Sequence, residues 1–225
     1  MKKLLHIYPY LAACLLSPLA AYLWWQEYQN LFQMLLAWLI PVLWAYIVPG
    51  VGTNICKVWE VKSKFNIGRF RIQHGFVFGS ATALLSWLTH QYTAQTILDI
   101  FVSALILCSV IGFWNILYDI VAIKAGILFV YNEPWANNKE AETIVLDYAP
   151  WIFGGFGFCY GLMISSYEYI VYCYGQQSYL FSTVFFIIGL CCCIVIPVLG
   201  VMNYSYKKYG HTGTKPIIHN SKILK

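Results

Sequence analysis

Residues 97–118 read ILDIFVSALILCSVIGFWNILY, and Asp99 is the one residue among them that carries a charge at neutral pH. At about 1.5 Å of rise per helical residue the stretch reaches roughly 33 Å, enough to cross a hydrocarbon core of about 30 Å. Five further apolar runs, at about 4–25, 31–48, 75–88, 144–166 and 179–202, read as spans in the same way. The expected fold is therefore all-α: an integral membrane bundle of six transmembrane helices over 1–203, followed by a basic cytoplasmic tail, 204–225. The apolar segment 120–131 carries Lys124 and Gly126 and is short for a span, so it either extends the fourth helix or lies along the interface.

Composition agrees. The 225 residues are 60% hydrophobic and 10% charged, with a mean hydropathy of +0.64, which no soluble core explains. Pro49-Gly50-Val51-Gly52 is expected to end the second span. The first run lies behind Lys2 and Lys3 and stays apolar past Cys14 to Trp24-Trp25, which reads as an uncleaved helix rather than a signal peptide.

Orientation rests on Lys and Arg. If six spans alternate, Lys2, Lys3, the five basic residues of 57–71, Lys124, Lys139 and the tail lysines share one side. The opposite connections, 26–30, 89–96 and 167–178, contain no Lys or Arg. Both termini are thus expected in the cytoplasm, and the short loops suit a bacterial inner membrane. The net charge of +5 sits beside the spans, so the expected partners are membrane lipids rather than nucleic acid. Gly75-x-x-x-Gly79 and Gly157-x-x-x-Gly161 supply small faces for close helix packing, within this chain, against a second copy or against a partner membrane subunit.

Eight cysteines form no CxxC pair, and the histidines show no HxxxH, HxxH or HExxH spacing, so no metal and no cofactor is expected. A GxSxG nucleophile motif is also absent. What remains is the set of polar residues at membrane depth, which are costly there and mark function. Asn115 and Asp119 are one helical turn apart, and Asp147 and Trp151 repeat that spacing. Asp119 and Asp147 are the expected acid and base, with Asn115 orienting them, because a buried carboxyl beside an ionised one forms a proton-transfer pair. Trp114, Tyr118, Tyr148, Trp151 and Phe158 are expected to line the pocket and to stabilise developing positive charge. Arg69, Arg71 and His74 are expected to contact the substrate, either by holding one carboxylate ionised or by binding a phosphate or carboxylate head group. Asp99 and Glu168 fall on the opposite face, where they read as solvated helix ends.

The expected activity is that of a membrane enzyme performing proton-initiated isomerisation or cyclisation on a lipophilic small molecule such as an isoprenoid. The alternatives are a small-molecule transporter or substrate-binding transport subunit, and a structural subunit of a membrane complex. In scale the chain resembles small membrane-embedded lipid or terpenoid enzymes and the six-helix binding subunits of vitamin importers, a likeness that carries no residue roles.

Overall fold

The computed structural model describes residues 2–217; Lys222 and Lys225 of the expected tail lie outside the described residues. The chain is mostly helical. Helix α1 (Lys2–Leu11) continues through a π-helical turn, Ala12–Leu16, into α2 (Ser17–Tyr28); α3 (Leu31–Gly50) continues through a second π turn, Val51–Ile55. After α4 (His74–Thr89) and α5 (Ile97–Lys124) come two short helices, α6 (Glu133–Ala136) and α7 (Ala141–Leu146). A third π turn, Pro150–Gly154, leads into α8 (Gly155–Tyr174), and α9 (Tyr179–Tyr209) closes the bundle. Among the described residues four helices are long and apolar enough to cross a membrane: Ile7–Tyr28, Leu31–Ile55, Ile97–Lys124 and Tyr179–Tyr209.

Each π turn lies at or just after a proline, Pro9, Pro49 or Pro150, where a missing N–H disturbs the hydrogen-bond ladder. The Pro49-Gly50 pair consequently does not end the second helix. Thr53 Oγ1 donates to the Pro49 carbonyl at 2.7 Å and carries the helix on to Ile55. The fifth long helix is shifted relative to expectation, because α7 stops at Leu146 and Asp147–Ala149 lead into the Pro150 turn.

The fold also departs from all-α. β1 (Trp59–Val61) pairs antiparallel with β4 (Leu128–Val130), and β2 (Asn66–Ile67) with β3 (Phe70–Arg71). Segment 120–131 is thus divided between the end of α5 and a strand. The β2–β3 turn needs Gly68 at φ +62°, since a Cβ there would lie 2.1 Å from Asn54 Oδ1.

Helix pairs α3–α4 and α5–α8 make the most extensive contacts, and small residues set their spacing. A Cβ on Gly79 would sit 2.6 Å from Val42 Cα, and one on Gly161 would sit 2.6 Å from Ala104 Cα. Trp24 Nε1 donates to the Ala83 carbonyl and Trp44 Nε1 to the Cys193 carbonyl, both at 2.9 Å, so these buried indoles are satisfied across helices. Trp44, Phe78 and Phe156 form the aromatic centre of the core, with ring centroids 4.6–5.4 Å apart.

At the end of the bundle lacking Lys and Arg, Glu168 is 2% exposed. Its carboxylate accepts from Tyr28 Oη and from Ala94 N at 3.1 Å, and lies 2.8 Å from His90 Nε2. Glu168 is therefore an internal clamp between helix ends rather than a solvated terminus. Asp99 does cap α5 in an exposed capping box with Thr96.

Candidate functional site

A cavity of about 670 Å³ is lined by residues of all three π turns, among them Leu16, Gly52 and Ile152. Trp44, Val48, Phe78, Leu85 and Phe153 contribute to its apolar wall. Its lining extends along α4 to Leu88 and across to Trp114 on α5, respectively 68% and 52% exposed, so it reaches the apolar flank of the bundle.

Its polar wall centres on two pairs. Asp119, 7% exposed, accepts a hydrogen bond from Tyr148 Oη at 2.6 Å. Arg71 Nη2 donates to Tyr118 Oη at 2.9 Å. Tyr8, whose hydroxyl donates to the Val77 carbonyl at 2.9 Å, stands near Tyr118, the ring centroids 6.2 Å apart.

Asp147 also lies on the wall, but its oxygens are engaged. Lys208 Nζ and Tyr209 Oη donate to Oδ1 at 2.9 and 2.6 Å, and Asn132 Nδ2 donates to Oδ2 at 3.3 Å. These contacts anchor the end of α9. Gly210, at φ +79°, then turns the chain back, and 211–217 lies along the cavity as a strap. Ile217 N donates to the Tyr131 carbonyl at 3.1 Å. His211 Nδ1 accepts from Gly213 N, leaving Nε2 as donor to Glu133 Oε1 at 3.2 Å. Residues 204–217 are thus packed structure and not a loose tail.

Of the residues expected from sequence, Trp114, Asn115, Tyr118, Asp119, Asp147, Tyr148, Arg71 and His74 line this one cavity. Asn115 Nδ2 donates to the carbonyl of Ile111 on its own helix at 2.8 Å. Trp151, Phe158 and Arg69 do not line it. The π turn after Asp147 breaks the simple helical spacing, and Trp151 packs outside against Tyr204, centroids 5.5 Å apart. Arg69 pairs with Glu60 at 2.8 Å across the small sheet, while Phe158 lies elsewhere on α8. Lys124 pairs with Glu142 on the surface.

Sequence reasoning missed Tyr8, Trp59, Tyr131, Tyr209 and the strap. A place in an interfacial aromatic belt is a sufficient reason for Trp59 and Tyr209, and nothing local signals that 211–217 folds back. Among protein-family models, curated proteins and solved structures, none matches the chain.

Proposed function

We propose that the chain is a six-span integral membrane enzyme, with both termini cytoplasmic, that takes a lipophilic substrate into this cavity and moves a proton through Asp119. One observation carries the reading: a single cavity reaches the apolar flank at Leu88 and Trp114 and also holds the buried Asp119–Tyr148 pair. A lipophile entering from the bilayer meets a proton donor without crossing water. The 16-residue α4 and 20-residue α8 are counted as spans because both pack among the four apolar helices. The concentration of Lys and Arg at the cavity end supports cytoplasmic termini, and the short connections suit a bacterial inner membrane.

In the proposed reaction the Asp119 carboxyl protonates a substrate alkene and becomes a carboxylate. The resulting carbocation is stabilised by aromatic faces such as Trp44 and Phe78. Loss of a proton from another carbon, back to Asp119, yields an isomerised or cyclised product with no net change in charge. Asp147, expected as the base, is occupied by Lys208, Tyr209 and Asn132 and is assigned to positioning. An isoprenoid chain suits these walls.

The test is mass spectrometry of small molecules retained by the protein in mild detergent, comparing the wild type with Asp119→Asn. A retained lipophile that the wild type converts and the variant leaves unconverted is expected; equal conversion by both overturns the reading. A second reading, a small transporter, draws on the buried Glu168–His90 clamp opposite the cavity, which would act as the outer closure. Saturable vesicle uptake of a retained water-soluble solute would favour it.

A further inference from the structure

Arg71 is 4% exposed, lies on the cavity wall and, among the described residues, has no carboxylate within ion-pair distance. Its Nη2 donates to the neutral hydroxyl of Tyr118, and its Nε, itself buried, has no hydrogen-bond partner among the described residues. A guanidinium stays charged at any physiological pH, so it cannot relieve its burial by losing a proton. An unpaired buried charge is among the costlier arrangements a fold can hold, and it marks the position of a missing counterion.

Neighbouring groups leave the same corner receptive to an anion. His74 also lines the cavity, and its Nδ1 is buried without a hydrogen-bond partner among the described residues. It opens α4, a helix with no side-chain N-cap, so the positive end of the helix dipole lies in the same corner. Lys215 of the strap is an exposed cation on the cavity lining with no acidic partner among the described residues. Of the acids on the wall, Asp147 is paired with Lys208, Glu133 accepts from the His211 ring, and Asp119, bonded to Tyr148, lies within electrostatic reach of Arg71 but beyond ion-pair distance.

We propose that the cavity's ligand is an amphiphile with an anionic head group, phosphate or carboxylate, seated on Arg71 beside His74, with its apolar chain running along α4 toward Leu88 and Trp114. The inference rests on the lipophilic-ligand reading above and adds the charge and placement of the head. Arg71 offers the fork that both head groups match, and the length of α4, about 24 Å, accommodates an extended chain. The head-group site holds the substrate at one end and thereby sets which carbon along the chain reaches Asp119.

The test compares hexadecyl phosphate, hexadecanol and inorganic phosphate as probes, with binding read by native mass spectrometry of the full chain. The wild type should bind hexadecyl phosphate about thirtyfold more tightly than hexadecanol, the scale of one buried charge-assisted pair. Arg71→Gln should abolish that preference and leave hexadecanol binding unchanged, whereas Arg71→Lys should retain part of it. Equal wild-type binding of the two amphiphiles overturns the anionic head and leaves the lipophilic cavity standing, and this comparison needs no variant to fold. Failure of both amphiphiles to bind removes the lipophilic reading and this inference with it. Arg71-dependent binding of inorganic phosphate with no binding of hexadecyl phosphate assigns the site to a free anion and overturns the amphiphile.

Discussion

Tyr148 Oη stands 2.6 Å from Asp119 Oδ2 and joins the loop after α7 to α5 across the floor of the cavity. Among the described residues that hydroxyl is the one hydrogen-bond donor on the Asp119 carboxyl, so it aims the group without occupying both oxygens. Tyr148→Phe is therefore expected to lower conversion of the retained lipophile by about tenfold or more. Asp119→Asn should abolish it with helix content unchanged. Circular dichroism alongside turnover separates these outcomes from misfolding.

Asp147 and Lys208 lie 61 positions apart in sequence and 2.9 Å apart in space. Asp147→Asn is expected to cost roughly 1–3 kcal/mol, the scale of hydrogen bonds to a charged group. The strap should loosen with it. Limited proteolysis would then cut near 210–217 faster than in the wild type, and an unchanged cutting rate would show that the strap is held by other contacts.

His90 sits between Glu168 and Glu27, with Tyr28 bonded to the same Glu168 carboxylate. Burial alone lowers its pKa, but the hydrogen bond and charge of Glu168, with Glu27, outweigh that and leave it raised. A raised folded-state value means that the stabilisation is fully present below the unfolded value of about 6.5. It is lost as pH rises through the higher folded value. Thermal unfolding in detergent should show Tm falling across that window in the wild type and a flatter profile in His90→Gln.

Gly161→Ala puts a methyl group 2.6 Å from Ala104 Cα, where backbone must move, and should cost about 1–3 kcal/mol. Gly50, inside α3, has nothing within 4 Å of its Cβ position, so Gly50→Ala should be neutral or stabilising by up to about 1 kcal/mol. Equal Tm values for the two variants would contradict the close α5–α8 contact.

Arg69 and Arg71 are adjacent members of one basic loop, yet only Arg71 enters the cavity. Arg69 and Glu60 are each about a quarter exposed, so Arg69→Ala should cost no more than about 1 kcal/mol and leave binding of an anionic amphiphile intact. A loss of binding equal to that in Arg71→Gln would mean that the loop acts as a diffuse positive patch.

The sequence by itself determined the solvent of this protein and the helical segments that meet it. Runs such as 97–118 are apolar on every face and are buried cheaply only in lipid, and glycines four apart must lie on one helix face. It also brought Asn115, Asp119 and Asp147 into view, because polar groups in apolar runs stand out. Tertiary structure decided what each of them touches. Whether Asp147 is free or held depends on Lys208 and Tyr209, which reach it only when the end of α9 packs beside the Pro150 turn. Whether Arg71 or Arg69 faces the cavity is set by the pairing of two-residue strands, too short to show a period in sequence. The π turns changed the face on which Trp151 lies, since helical spacing holds only while the hydrogen-bond ladder is regular, and proline interrupts it.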